Sequence, residues 1–185
     1  MVQQAKKVVG ETALDITGES SILIQAPAEA VYDYLLDFSR HPEWAANIGK
    51  VKKTSEGPIR VGTTFQAQEG PPPVSLGRKL HSMLFFILGL VQGAKSYSEA
   101  EITALEPGRR LAWTGRVRRG QGEFNRSQWE IILKPENGAT RLSQRFHYQP
   151  QMKAAERMVL ALGGAPGIEA ACGVSLTRLK QKLEG

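Results

Sequence analysis

Between Val51 and Tyr148 the sequence alternates between apolar and polar residues, and this alternation constrains the fold more than any other feature. A period of two residues is typical of β-strands that bury only one face. Clusters of glycine, proline, asparagine and glutamate interrupt the alternation at residues 56–58, 106–108, 119–122 and 135–138. The segment therefore predicts five or six antiparallel strands joined by short turns.

A strand and two short helices are predicted before this segment. Ser21–Gln25, with the sequence SILIQ, alternates as a half-buried strand does. Pro27 suits a first helical turn, and a helical apolar face follows at Val31, Leu35 and Phe38. Ser39 is a plausible N-cap for a second helix, which restarts at Pro42.

After Gln151 the apolar period changes to 3.6 residues, which predicts a long C-terminal helix over Met152–Leu183. We expect the GGAPG segment at residues 163–167 to kink or break this helix, because proline removes a helical hydrogen bond. The predicted apolar face comprises Met152, Ala155, Val159, Leu162, Ile168, Ala171, Cys172, Ser175, Leu176, Leu179 and Leu183.

This order of elements predicts an α+β fold in which a curved antiparallel sheet wraps around the C-terminal helix. Such an arrangement leaves space between sheet and helix, and the inward side chains decide whether that space is core or cavity. Because side chains alternate across a strand, charged positions identify the outer face. The arginines at positions 110, 116, 126, 141 and 145 fall on that face.

The opposite face carries aromatic and aliphatic side chains with a few neutral polar ones, which is typical of small-molecule pockets. Trp113, Trp129 and Phe146 are equally compatible with a filled core, whereas Gln144 favours a ligand contact over a bond to nearby backbone. Gly115, in the middle of a strand, indicates a bend or bulge. The candidate ligand contacts are Phe65, Trp113, Asn125, Ser127, Trp129, Gln144, Phe146 and Tyr148.

Three stretches of the chain resemble the helix-grip superfamily of START-related lipid-transfer proteins, pollen-allergen-type proteins and polyketide cyclases. They are SILIQAPAEAVYDYLLDFSRHPEWAANI, with Asp37, Pro42 and Trp44, then VKKTSEGPIRVGTTF, and then WEIILKPENGATRLSQRF. With the terminal helix they cover about residues 21–183, and they are most similar to the bacterial cyclase/dehydrase-like branch, often labelled SRPBCC. The resemblance implies a helix-grip fold with a hydrophobic ligand cavity, and it implies no single reaction.

We expect one domain over residues 1–185, with a loose N-terminal segment at 1–18 and an apolar insertion at 71–94. Met83–Val91 is apolar or glycine throughout, and nine residues of helix reach only ~14 Å, too short for a bilayer core of ~30 Å. Cations flank this stretch on both sides. It is therefore a candidate lid that touches anionic membrane through Leu84, Phe85, Phe86 and Leu88; a permanently closing helix and a dimer contact are the alternatives.

Catalytic and metal-binding motifs are mostly absent from the sequence. His41, His81 and His147 lack metal-ligand spacing with one another or with Cys172, so no metal is expected. GQGEFN, residues 120–125, breaks the dinucleotide fingerprint at its last position, and no P-loop is present, so no cofactor is expected. Glu123 is the one carboxylate that strand parity places at the cavity rim. It is a weak candidate for a general base.

The favoured function is therefore binding or carriage of a hydrophobic small molecule, such as a lipid, an isoprenoid or a polyketide-like compound. The alternative is an enzyme of the cyclase/aromatase type acting on a polyketide-type substrate in the same cavity. The net charge is +6, but the sequence shows no combination of aromatic and basic residues of the kind that nucleic-acid binders use. No nucleic acid is therefore expected as a partner. The sequence shows no export signal, and its one cysteine, Cys172, is expected to be unpaired and buried, so we expect a cytoplasmic protein. It is expected to be a monomer or a homodimer, and to be peripheral at the membrane if the lid contacts it.

Overall fold

A computed structural model describes residues 8–9, 14–69, 96–119, 122–150 and 154–185. Side chains of the C-terminal helix are described from Ile168 onward. The predicted insertion at 71–94, with Leu84, Phe85, Phe86 and Leu88, lies outside the described residues, as does the side chain of Glu123.

The described strands form one antiparallel sheet, in the order β1-β2-β8-β7-β6-β5-β4-β3. Two-residue β1 pairs only with β2, and the other seven strands form the curved main sheet. The six strands from β3 to β8 confirm the number predicted from the alternation. The strands are β1 (Val8–Val9), β2 (Leu14–Ile24), β3 (Ile48–Lys53), β4 (Thr64–Glu69), β5 (Ser96–Glu106), β6 (Arg110–Arg119), β7 (Gly122–Glu136) and β8 (Ala139–Pro150).

The turn between β7 and β8 shows how local sequence sets this register. Asn137 and Gly138 both have positive φ, at 51° and 83°. An Asn-Gly pair tolerates this backbone at both central positions of a two-residue hairpin. The register that follows pairs Glu136 with Ala139 and continues without a shift to Asn125 and Pro150.

Strand β2 differs from its prediction. It begins at Leu14, within the N-terminal stretch that the sequence left without an element, and it pairs with β8 from Ile16 to Ile24. The alternation is not visible in the sequence at the start of β2, because its inward positions hold Gly18 and Ser20 where apolar residues were expected. The outward residues Thr17, Glu19 and Ser21 are polar as well.

The short helices after β2 are α1 (Ala28–Leu36), a 3-10 turn (Phe38–Arg40) and α2 (His41–Trp44). The predicted apolar face of α1 is confirmed, since Val31, Leu35 and Phe38 are fully buried. The predicted N-cap at Ser39 is wrong: the Asp37 carboxylate accepts from the Ser39 backbone N–H at 3.1 Å. Asp37 starts the tighter turn because its carboxylate reaches the unpaired N–H two residues later.

The C-terminal helix α3 (Ala154–Glu184) runs without interruption through residues 163–167, so the predicted break is absent. A proline inside a helix removes one backbone hydrogen bond, and the bonds on either side preserve the helix. Where side chains are described, the predicted apolar face is confirmed, with Cys172, Leu176 and Leu179 buried.

Helices α1 and α3 lie on the same, concave face of the sheet. α3 packs on β2 and α2, and α1 packs on β6, β7 and β8. The main core joins α1 to the sheet and to the C-terminal half of α3 through Leu35, Ile131, Leu142, Leu176 and Leu179. A second, smaller cluster contains Ile16, Phe146 and Cys172, with Trp129 packed against it.

Candidate ligand-binding site

Aromatic side chains cross the middle of the concave face. The strand register places Trp113 beside Trp129 and Trp129 beside Phe146. The two indole rings lie nearly parallel with centroids 6.3 Å apart, and the Trp129 and Phe146 centroids are 5.7 Å apart. Phe38 and Phe65 extend the row beyond Trp113. We refer to Phe65, Phe38, Trp113, Trp129 and Phe146 as the aromatic band.

The members of the aromatic band differ in burial. Phe38, Phe65 and Phe146 are at most 4% exposed, whereas Trp113 and Trp129 are half-buried in the middle of the inner face. Large indoles in that position should be closed off if the interior were filled. The partial exposure of Trp113 and Trp129 is what an open space beside the centre of the band would produce.

A glycine-serine pair positions the Trp129 ring. The Trp129 indole N–H donates to Ser127 Oγ at 2.9 Å, and Gly115 lies directly opposite Ser127. A Cβ built on Gly115 would lie 2.7 Å from that hydroxyl oxygen. No bulge occurs at Gly115, since its register with Ala100 and Ser127 is regular. Glycine is needed there because the serine hydroxyl occupies the space.

Polar side chains gather at one end of the concave face, and we call Glu69, Ser98, Asn125 and Tyr148 the polar rim. Asn125 is 3% exposed and donates its amide N–H to the Tyr148 hydroxyl. Ser98 lies in the same cross-strand row, with Val117 between them, and forms a hydrogen bond with Glu69. Burial raises the pKa of the Glu69 carboxyl, and the Ser98 hydrogen bond opposes part of that rise.

A second polar pair lies deeper in the fold, and we call Ser20 and Gln144 the polar floor. The two residues are direct partners in the β2–β8 register and are 3% and 4% exposed. Within the described part of the chain, Ser20 Oγ and Gln144 Oε1 have no hydrogen-bond partner. Because an unpaired buried polar atom is costly, such a pair indicates a partner still to be bound.

His41 closes the aromatic band from the side of α2. Its ring stacks on Phe38 at 4.2 Å between centroids and lies 5.0 Å from Trp44 and 5.8 Å from Trp113. Burial lowers the pKa of His41 to about 4, although a hydrogen bond to the Leu35 backbone opposes that shift. The imidazole is therefore neutral near pH 7, and its Nε2 has no partner among the described residues.

The structure places all eight candidate ligand contacts predicted from the sequence on the concave face. They are Phe65, Trp113, Asn125, Ser127, Trp129, Gln144, Phe146 and Tyr148. Their contact with a ligand stays a prediction. Sequence reasoning missed Ser20, Glu69 and His41. The alternation of inward residues in β2, continued from Ile22 towards the N-terminus, would have identified Ser20. The position of His41 depends on tertiary packing.

The convex face carries a shallow depression of about 420 Å³. Its charged groups compensate one another. Arg110 Nε lies 2.6 Å from a Glu130 carboxylate oxygen, Arg145 bridges Glu130 and Glu19, and His147 lies 3.2 Å from Asp15. Its lining also includes the apolar residues Ala112, Trp113, Trp129 and Phe146. Because its charged groups are already paired within the protein, the concave face is the stronger candidate site.

The described residues contain no group of three histidine, cysteine, aspartate or glutamate side chains that could hold a metal ion. The lone cysteine, Cys172, is buried as predicted. Burial raises the pKa of its thiol to about 12, and Glu169 adds to the rise. A thiol of this kind stays protonated and is a poor nucleophile.

An antiparallel sheet curved around a C-terminal helix, with an aromatic and polar inner wall, defines the class of helix-grip proteins. The chain belongs to the polyketide cyclase/dehydrase and lipid transport family, whose model matches residues 15–184. The resemblance identified from the three sequence stretches is thereby confirmed.

Solved structures share the fold at low sequence identity. One is the Zhui aromatase/cyclase from Streptomyces sp. R1128, with a TM-score of 0.63, 14% identity, and coverage of 92% of this chain and 94% of that one. A conserved protein from Geobacillus kaustophilus has a TM-score of 0.62, 16% identity, and coverage of 91% and 95%. A protein of the dynemicin biosynthetic locus has a TM-score of 0.55 and 17% identity, and the match covers 91% of this chain and 47% of that one.

No curated protein matches this sequence. Among the described residues, no helix is both long and apolar enough to cross a membrane.

Proposed function

We propose that this protein binds a hydrophobic small molecule between the concave face of the sheet and α3. The observation that carries the proposal is the half-burial of Trp113 and Trp129 at the centre of an apolar inner wall. The family description, which joins polyketide cyclases and dehydrases to lipid transport, supports the same ligand class. A lipid, an isoprenoid or a polyketide-like compound fits this wall.

The geometry of the aromatic band favours ligands with flat, unsaturated parts. Aromatic rings attract one another at centroid distances of about 4.5–7 Å, in offset-stacked or edge-on arrangements. The parallel indoles of Trp113 and Trp129 present such a surface along two adjacent strands. Polar groups at the rim and the floor are few, as expected of a site in which they orient the ligand rather than hold it.

Native mass spectrometry of the purified protein tests the proposal first, because a tightly held ligand should appear as a fixed added mass. Titration with lipids and polycyclic phenols should also change tryptophan fluorescence saturably. Trp129→Phe should reduce that response more than Trp44→Phe, the matched control, because Trp44 is 2% exposed and lies in the main core. No added mass and an unresponsive spectrum across the panel would mean that the interior is a filled core.

Glu69 favours a second candidate function, ring closure of a polyketide-type substrate. It is a half-buried carboxyl on the inner face, and its raised pKa increases the protonated fraction relative to an exposed glutamate. A carboxyl of this kind suits proton transfer to or from a bound substrate. One fold neighbour is an aromatase/cyclase, which supports this chemistry as an alternative.

A reactive poly-β-ketone thioester separates the two candidates. An enzyme should increase ring-closed products over the spontaneous reaction, and Glu69→Gln should remove most of that increase while binding persists. A carrier should bind the probe and leave its product distribution unchanged. An increase that survives in Glu69→Gln would exclude the assigned role of this carboxyl.

Contact with anionic membrane, through the apolar segment containing Phe85 and Phe86, is a further part of the proposal and rests on sequence alone. The wild type should co-sediment with anionic vesicles, less so at high salt because salt screens the flanking cations. The double variant Phe85→Asp/Phe86→Asp should remain in solution and folded. If both proteins ignore the vesicles, membrane contact is wrong, and a dimer that becomes a monomer in the variant would indicate a subunit interface instead.

A further inference from the structure

The polar floor, Ser20 and Gln144, separates the two apolar clusters of the molecule. Along β8, Leu142 belongs to the main core and Phe146 to the smaller cluster, with Gln144 between them. Along β2, Ile24 and Ile16 are divided in the same way, with Ser20 on the intervening inward face. Along β2 and β8 the main core therefore ends at this polar layer, and Phe146 of the aromatic band lies on its other side.

On the side of the floor that faces the aromatic band, β2 contributes no side chain at its next inward position. That position is Gly18, which lies opposite Phe146. From α3, the Ser175 hydroxyl donates to Ala171 O and accepts from the Ala46 backbone N–H. It therefore supplies no partner to Ser20 or Gln144.

The free atoms specify what a partner must offer. Gln144 Oε1 is a carbonyl oxygen and only accepts hydrogen bonds, whereas the Ser20 hydroxyl donates or accepts. Neither atom has a partner within the described residues. A group that both donates and accepts, such as a hydroxyl, would satisfy both atoms. The described side chains next to the floor on the inner face, Leu142, Phe146 and Ile131, carry no charge, so a cationic donor would be uncompensated.

We propose that the ligand enters with a neutral hydroxyl or phenol at its leading end, which hydrogen-bonds to Gln144 and Ser20 at the floor while its apolar body contacts Trp113 and Trp129. This inference rests on the proposed binding function and adds the chemistry and orientation of the ligand. Sequence parity indicated Gln144 alone, and the pairing with Ser20 comes from the β2–β8 register.

Three naphthalene probes of similar size test the inference by isothermal titration calorimetry. 2-Naphthol carries a hydrogen-bond donor, 2-methoxynaphthalene keeps the oxygen without the donor, and 2-methylnaphthalene has neither. The wild type should bind 2-naphthol roughly tenfold more tightly than either other probe, the effect of one added buried hydrogen bond. Gln144→Met should lose that preference and retain affinity for 2-methylnaphthalene.

Three further variants control the measurement. Gln128→Met makes the same substitution on the exposed face of β7, so it should keep the preference for 2-naphthol. Ser20→Ala should reduce the preference, and it provides a second route if Gln144→Met folds poorly. Asn125→Leu tests the competing position of the hydroxyl, at the polar rim.

The possible outcomes are distinguishable. Equal affinity of the wild type for all three probes would overturn the inference and leave the proposed binding function intact. It is the result expected if a water molecule is the partner of Ser20 and Gln144. Loss of the preference in Asn125→Leu but not in Gln144→Met would place the hydroxyl at the rim and also overturn it. Failure of every probe to bind would contradict the proposed function itself.

Discussion

His41 shows how far one buried side chain shifts from its ordinary chemistry. The ring is enclosed by Phe38, Trp44 and Trp113, and burial lowers its pKa from 6.5 to about 4. In the unfolded chain the same imidazole takes up a proton below about pH 6.5. The unfolded state therefore binds more protons than the folded state between pH 6.5 and about pH 4, so stability falls as the pH decreases through that window.

We expect His41→Phe to flatten this part of the pH profile. In the wild type, lowering the pH from about 7 to about 5 should reduce the free energy of unfolding by about 2 kcal/mol through His41. In the variant this part of the decrease should be absent. Phenylalanine keeps the stack on Phe38 and has no unpaired nitrogen. Urea unfolding at the two pH values measures the difference, and equal slopes for both proteins would show that His41 is not buried as described.

Gly115 has a specific packing requirement, because its missing Cβ makes room for the Ser127 hydroxyl. Gly115→Ala should displace that hydroxyl and break its hydrogen bond with the Trp129 indole. We expect a loss of roughly 1–2 kcal/mol of stability and a shifted tryptophan emission.

The double variant Gly115→Ala/Ser127→Ala is the control for this prediction. It removes the clashing oxygen and should recover most of the lost stability. A single variant as stable as the wild type, with unchanged emission, would contradict the described contact.

At the scale of elements, α3 connects the sheet to the short helices. Its C-terminal half buries Leu176 and Leu179 in the main core, and the Ser175 hydroxyl accepts a hydrogen bond from the Ala46 backbone N–H just after α2. At the helix end, Lys180 Nζ donates to Leu23 O on β2. These contacts hold α3 against the inner face of the sheet.

Leu176→Asp should unfold the domain or cost more than 3 kcal/mol of stability, since it buries an unpaired carboxylate in the core. Thr177→Asp places the same charge one position along, on the exposed side of α3, and should change stability by less than about 1 kcal/mol. Thermal unfolding of the two variants compares them directly. Similar melting temperatures would show that this face of α3 does not pack on the sheet.

For the molecule as a whole, the positive charge is largely compensated where the sheet is described. Arginines assigned to the outer face from the sequence form ion pairs: Arg110 and Arg145 both contact Glu130, and Arg141 lies 2.8 Å from Glu136. On the neighbouring strand β5, Glu99 lies 3.3 Å from Arg118. The net charge of +6 therefore does not appear as a surface of free arginines on this part of the sheet.

We accordingly expect no saturable binding of duplex DNA or RNA at about 0.15 M salt, because phosphate binding depends on cations that are free to replace counterions. Fluorescence anisotropy with labelled duplexes measures this. Tight binding that weakens steeply with added salt would contradict the prediction.

Local patterns were sufficient for most of the fold. Alternation determined the antiparallel strands and their inner and outer faces, the Asn137-Gly138 pair determined a hairpin, and the helical period determined α1 and α3. These features follow from neighbouring residues, because strand parity, turn geometry and helix periodicity are set within a few positions of the chain. The same parity is why eight candidate contacts were placed on one face.

Only the tertiary structure decided what those faces enclose. Ser20 became part of the candidate site because β2 pairs with β8, and Gly115 acquired its role because Ser127 lies across from it. His41 was enclosed when Trp113 of β6, distant in sequence, packed beside its near neighbours Phe38 and Trp44. Burial, pKa shifts and unpaired polar atoms depend on which distant segments meet, and a local pattern contains no information about that meeting.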